Sequence, residues 1–205
     1  MSTTITTIDL LRHGEPEGAD VFRGLSDFTL TEKGWQQLRD ATSVRPAPWH
    51  TIITSPLRRC SDFAHELATE IQCSAIIEAK LHEMSFGDWE GQNIEVIKQQ
   101  HPELIKKFAA DPSLFTPPNG ENLQQLAQRV LPVWNEIIER HRGQHVLIVA
   151  HGGVNRIILA DILDIPHSAV GRLEVPYAGM SRIQIFHNDK YEPLTRLVFH
   201  NSIPQ

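Results

Sequence analysis

"QHVLIVAHGG", residues 144–153, decides the fold. Val146 to Ala150 is apolar at every position, and the run ends in a histidine and two glycines. A strand with one face in water alternates apolar and polar residues. One that is apolar at consecutive positions is buried on both faces, as in a parallel sheet covered by helices. "VNRIILADIL" (154–163) follows at helical spacing, so strand, polar turn and helix come in that order.

The same unit recurs upstream. "ITTIDLLRHG" (5–14) reads as a first strand ended by glycine. "WHTIITSPL" (49–57) reads as a second strand and "SAIIEA" (74–79) as a third. Between them, "TLTEKGWQQLRDATSV" (29–44) opens like a helix. "PLRRCSDFAHELATEI" (56–71) places Leu57, Cys60, Phe63, Ala64, Leu67, Ala68 and Ile71 on one helical face. "LHEMSFGDWEGQN" (81–93) reads as a polar and aromatic loop. Residues 93–110 read as helix interrupted near His101-Pro102. "DPSLFTPPNGEN" (111–122) is a Pro/Gly-rich connection. Asn122 with Gln125 has the form of a capping box for a helix over 123–141, in which Pro132 predicts a kink or nearby bend. Residues 171–200 read as a strand and a hairpin through "HNDK", with Pro176 marking an edge or strand end. Strands alternating with helices predict a single α/β domain over 1–205, a three-layer α/β/α sandwich around a mainly parallel sheet.

In such sheets ligands bind beyond the carboxyl ends of the strands. Three polar clusters fall there: Arg12-His13-Gly14, "TSPLRR" (54–59) and "AHGG" (150–153). Convergence would bring together Arg12, His13, Arg59 or Arg58, and His151, with Glu83 from the central loop. Guanidinium forks match phosphate oxygens and stay charged. Glycines at 14, 152 and 153 allow close backbone approach, and helix N-termini add N–H donors. Nearby cations lower the pKa of a histidine and keep it a neutral nucleophile, and a carboxylate can protonate a leaving oxygen. The pattern suits phosphoryl transfer.

Composition sets the remaining bounds. Apolar residues at 40% and charged residues at 21% exclude disorder. Nineteen Lys and Arg against 25 Asp and Glu leave a net charge of −6, which argues against nucleic-acid or polybasic membrane contact. Cys60 and Cys73 form no ligand pattern and read as reduced thiols. No HExxH, HxxxH or Cys/His spacing supports a metal. No basic leader and no run near the roughly 18 apolar residues of a membrane span is seen, so a cytoplasmic location is expected.

Six blocks carry a resemblance: "LLRHGE" (10–15), "RGLSDFTLTEKGWQQ" (23–37), "TSPLRRC" (54–60), "LHEMSFGDWEG" (81–91), "NGENLQQLAQRV" (119–130) and "VLIVAHGGVNRIIL" (146–159). In this order the chain resembles the histidine phosphatase (phosphoglycerate mutase-like) superfamily, and within it the α-ribazole phosphatases of cobalamin synthesis. The resemblance implies that His13 takes the phosphoryl group and that Arg12, Arg59 and His151 hold its oxygens with the Gly152 backbone. Glu83 would protonate the leaving alcohol and then activate water. It favours Arg59 over Arg58 as the pocket arginine, and it implies no cofactor and a small phosphomonoester as the only required partner. Gly14, Arg23 and Gly24 complete the expected substrate contacts.

There are departures from the mutase pattern at Ala19, where Asn is usual, and at Arg23, where a small residue precedes Gly24. Arg23 is open between a substrate contact and a structural salt bridge. Glu121 could touch the substrate or Arg23, Trp89 could wall the pocket, and His82 adjoins Glu83. A mutase, a sugar-bisphosphate phosphatase and a catalytically inactive phospho-ligand binding module are the alternatives. An edge strand in the C-terminal third could pair across a homodimer.

Overall fold

A computed structural model describes residues 4–18, 20–43, 47–188 and 191–202. Ala19 and the tip of the expected hairpin, residues 189–190, lie outside the described residues.

Six strands form one sheet: β1 (Thr4–Arg12), β2 (Thr51–Thr54), β3 (Ser74–Ile77), β4 (His145–Ala150), β5 (Met180–Asn188) and β6 (Tyr191–Ser202). Their order is β3-β2-β4-β1-β5-β6. The β3–β2, β2–β4 and β4–β1 pairs are parallel, and β5 runs antiparallel to both β1 and β6. The sheet is therefore mostly parallel.

Residue pattern explains the layers. In β4, Val146, Ile148 and Ala150 join Ile8 and Leu10 of β1 in one core. That core is closed by α5 (Leu123–Arg140) and α6 (Gly152–Ile162). Leu147 and Val149 point the other way, with Leu11 and Ile52, under α1 (Glu32–Ala41) and α2 (Arg58–Ile71). The consecutive apolar run of β4 thus feeds both cores, one residue to each face in turn. The α1 start is set by Thr31, whose side chain accepts from the Gly34 amide. The Asn122–Gln125 capping box is present, and α5 continues through Pro132 as one helix.

A cap interrupts the β3-to-α5 connection. It contains α3 (Ile94–Gln100), α4 (Pro102–Ala110) and short 3-10 turns, and it has its own cluster around Trp89, Ile97 and Phe115. Pro102 starts α4, where its missing N–H costs nothing, so the expected interruption becomes a boundary between two helices. The stretch 171–179 departs from the expected strand. It forms the end of a 3-10 turn and then a loop, and β5 begins only at Met180. That loop folds over the end of β1. No helix among the described residues is long and apolar enough to cross a membrane.

Candidate active site

Parallel register places the three polar clusters side by side. Arg12 pairs with Ala150 and Thr54 with Val149, so β1, β4 and β2 end level with one another. The His13 amide donates to the Ala150 carbonyl (3.0 Å) and the Ser55 amide to the Val149 carbonyl (3.0 Å). These bonds carry the ladder one residue beyond the strands and fix the backbone of His13.

The His13 ring is fixed as well. Its Nδ1 lies 2.7 Å from the Gly14 carbonyl oxygen. A carbonyl only accepts, so Nδ1 carries the proton and Nε2 keeps its lone pair. Burial, then the charges of Arg59 and Arg12, hold the His13 pKa well below the usual 6.5. Gly14 is required by packing. A Cβ there would sit 2.1 Å from the Gly34 carbonyl oxygen of α1.

His151 is fully buried, with its ring edge-on to His13 at 5.2 Å between centroids. Its Nε2 is 2.6 Å from the Ser55 hydroxyl. Burial and then Arg59 hold its pKa well below 6.5 too. Cys60 packs 3.6 Å from the same ring nitrogen, and burial pushes its thiol up to about 12, so it is an inert neighbour.

Arg12 donates from Nη1 to the Val175 carbonyl (2.7 Å) and its guanidinium lies 4.2 Å from the Tyr177 ring centroid. Arg59 donates from Nη1 to the Ser26 carbonyl (2.7 Å) and from Nη2 to the Gly24 carbonyl (2.7 Å). The Nε atoms of both are buried and have no hydrogen-bond partner among the described residues. Arg58 instead faces outward, with Nε 3.3 Å from Asp62. Two cations and two neutral imidazoles converge where an anion would be favourable.

Glu83 reaches the other side. Its Oε2 accepts from the Gly153 amide (3.0 Å) in the first turn of α6, and its Oε1 from its neighbour Met84 (2.9 Å). A helix N-terminus favours a carboxylate there. A Cβ on Gly153 would come within 2.4 Å of Glu83 Oε1, so the second glycine of "AHGG" makes room for the acid. Gly152 leaves space beside Arg12 Nε, which would lie 3.4 Å from a Cβ.

Arg23 donates to the Glu17 carbonyl (3.1 Å) and covers the Phe28 ring at 5.1 Å. Gly24 packs against the Met84 carbonyl, and its own carbonyl holds Arg59. Glu15 pairs with Lys33 (2.7 Å). His82 Nδ1 is 2.9 Å from the Glu83 carbonyl oxygen. Glu121 does not pair with Arg23; Arg129 of α5 grips it through Nε (2.7 Å) and Nη2 (2.8 Å). Trp89 is not a pocket wall, because it is buried as the centre of the cap's core.

The sequence reading missed four residues. Tyr177 lies 5.6 Å from the His13 ring centroid, brought in by the loop after Pro176. Arg156 of α6 donates to the Leu173 carbonyl (2.8 Å), one helical turn beyond Gly152. Glu90 accepts from the amides of Gly24 (3.1 Å), Leu25 (2.9 Å), Ser26 (3.1 Å) and Phe86 (2.9 Å), and from the Ser26 hydroxyl (2.6 Å). It thereby shapes the loop whose carbonyls hold Arg59. Arg129 does the same for the Glu83 loop. Pro176 in an apparent strand was a signal for Tyr177; nothing local marked Glu90. Among the described residues no group of three or more His, Cys, Asp or Glu side chains is placed to hold a metal ion.

Known proteins are similar to this chain over most of its length. An adenosylcobalamin/alpha-ribazole phosphatase of Escherichia coli is 28% identical over 188 residues, 90% of this chain and 92% of that one. A probable phosphoglycerate mutase GpmB of Photorhabdus laumondii is 31% identical over 182 residues, 87% of this chain and 85% of its own. The solved structure of Bacillus stearothermophilus YhfR superposes with a TM-score of 0.82 at 30% identity, covering 90% of this chain and 95% of that one. The chain spans about half the length (51%) of the mycobacterial relatives it matches at 30% identity. The family model for the histidine phosphatase superfamily (branch 1) matches residues 8–195, and with strand ends, paired histidines and arginines in place, the chain belongs to that superfamily.

Proposed function

We propose that this chain is a metal-independent phosphomonoesterase that works through a phosphohistidine at His13. One observation carries the reading. The Gly14 carbonyl binds Nδ1 of His13 and leaves the Nε2 lone pair free, in a site where the charges of Arg59 and Arg12 act on the ring and the buried Nε groups of both arginines have no hydrogen-bond partner among the described residues. Nε2 attacks phosphorus, a P–N bond forms, and the P–O bond to the alcohol breaks. Glu83 in its acid form gives its proton to the departing oxygen. Arg12, Arg59, a ring N–H of His151 and the Gly152 amide neutralise charge on the other oxygens. Water then attacks phosphorus, Glu83 takes its proton, and the P–N bond breaks to release inorganic phosphate. The low pKa of His13 favours both steps, because it keeps the Nε2 lone pair free to attack and because a weakly basic ring leaves phosphorus more readily.

The substrate is a small phosphorylated metabolite, and α-ribazole 5′-phosphate is the first candidate. Support comes from the near full-length likeness to the Escherichia coli phosphatase of that name. The likeness to the probable mutase supports a second reading, in which the phosphoryl group returns to substrate instead of water.

Phosphate release from a panel of phosphomonoesters, α-ribazole 5′-phosphate included, tests the reading in excess EDTA with wild type and His13→Ala side by side. Release by wild type alone is expected. Equal release by the variant, or a wild type silenced by EDTA, overturns it. Isomerised product without phosphate establishes the mutase, and tight binding without turnover a binding module.

A further inference from the structure

Arg129, half-buried on α5, differs from Arg12 and Arg59 in one respect. Its five N–H groups are all engaged. Nε donates to Glu121 Oε1 (2.7 Å), Nη1 to the Lys80 (2.6 Å) and His82 (2.8 Å) carbonyls, and Nη2 to the Glu83 carbonyl (3.0 Å) and Glu121 Oε2 (2.8 Å). Arg12 and Arg59 each keep a buried Nε with no partner among the described residues; Arg129 has no donor left for a ligand.

Its partners form one object. Lys80, His82 and Glu83 belong to the turn that carries the proposed acid. Glu121 closes the clasp from the far end of the cap. Its amide donates to the Ser85 carbonyl (2.9 Å), and its Oε2 accepts from the Ser85 amide (3.4 Å). The segment 80–85 is therefore bonded on three carbonyls to a side chain of α5, and its last residue, Ser85, is tied to Glu121, two residues before α5. The Glu83 side chain runs the opposite way, to the Gly153 amide of α6. α5 and α6 share one core, so the two anchors of Glu83 sit on a single rigid body.

We infer that Arg129, with Glu121, is the positioning residue of the reaction, setting where the Glu83 carboxyl stands relative to the leaving oxygen. The inference rests on the acid role given to Glu83 above. Arg129 touches neither phosphate nor alcohol. It acts through the backbone of the loop, and no other side chain has a planar fork able to gather three carbonyls and a carboxylate.

The test uses leaving groups. Dinitrophenolate departs without a proton, whereas an alkoxide needs one. A misplaced acid thus slows alkyl phosphates and spares dinitrophenyl phosphate, while a damaged phosphate pocket slows both. Phosphate release is measured as kcat/KM on both substrates for wild type, Glu83→Gln, Arg129→Met, Arg129→Lys and Glu121→Gln, with circular dichroism on each. The expected loss for Arg129→Met is roughly 100-fold on the alkyl ester and under about threefold on the dinitrophenyl ester. Arg129→Lys and Glu121→Gln are expected to fall between Arg129→Met and wild type. Equal losses on both esters, or none on either, overturn the inference. If Arg129→Met does not fold, Glu121→Gln decides by the same ratio. A Glu83→Gln enzyme that treats both esters alike overturns the acid role itself. A selective Glu83→Gln beside unselective Arg129 and Glu121 variants overturns only the positioning role.

Discussion

His13 and Glu83 are held by supports of different kinds. The His13 side is built on strand ends. Its backbone continues the β1–β4 ladder, its ring is pinned by its own neighbour's carbonyl, and Gly14 presses backbone to backbone on α1. The Glu83 side is built on loops. Neither the turn at 80–85 nor the loop at 24–26 belongs to the sheet, and each is gathered by one charged side chain, Arg129 or Glu90. A ladder shares its load over many weak bonds. A loop hub concentrates it in a few charge-assisted ones, each individually stronger. The strand side should therefore fail by steric intrusion and the loop side by loss of one charge.

The largest effect is expected from Gly14→Ala. The added carbon meets the Gly34 carbonyl at 2.1 Å, and neither backbone can yield without moving β1 or α1. A stability loss of about 3 kcal/mol or more in chemical denaturation is expected, with activity lost as His13 shifts. A variant as stable and active as wild type would show that the strand side yields after all.

Glu90→Gln comes next. The amide keeps the shape but turns an N–H₂ group toward amides that need an acceptor. Because Glu90 is half-exposed, a loss of about 1–2 kcal/mol is expected, with inorganic phosphate inhibiting more weakly as the Arg59 clamp loosens. Unchanged phosphate inhibition would disconnect Glu90 from Arg59.

The last effect is a pH dependence confined to the strand side. His13 and His151 have native pKa values well below the unfolded 6.5. As pH falls below about 6.5, the unfolded chain takes up protons that the native rings refuse, so stability declines by about 1.4 kcal/mol per pH unit per ring. The decline ends once pH passes the native values. Above 6.5 both states are neutral and the rings contribute no slope. NMR titration of the His13 ring should show it still neutral at about pH 6; a midpoint at 6.5 or higher would show that burial and the arginines do not govern it.

The architecture and half of the site were readable from residue order. Five consecutive apolar residues before His151 admit few environments other than a strand covered on both sides. Arginine and histidine at the end of such a strand are too costly without a partner or a task. Arg12, His13, His151 and the capping box of α5 follow from rules that operate within a few residues. The choice between Arg58 and Arg59 needed the resemblance, and burial of Arg59 beneath the 24–26 loop shows its physical basis. The strand assigned to 171–179 did not form, because Val175 and Ala178 give their backbone groups to Arg12 and His13 instead of to a ladder.

The supports of the loop side were not readable. Glu90 bonds residues 64 to 66 positions away, and Arg129 bonds residues 46 to 49 positions away. A charged residue in a loop or on a helix face looks solvated until the chain closes around it. Periodicity and turn chemistry are local properties, so they specify the sheet and what stands at its strand ends. Which carbonyls a guanidinium gathers, and which amides a carboxylate receives, depends on segments meeting in space, and in this chain that meeting brings the Glu83 carboxylate to the Gly153 amide, two residues after His151.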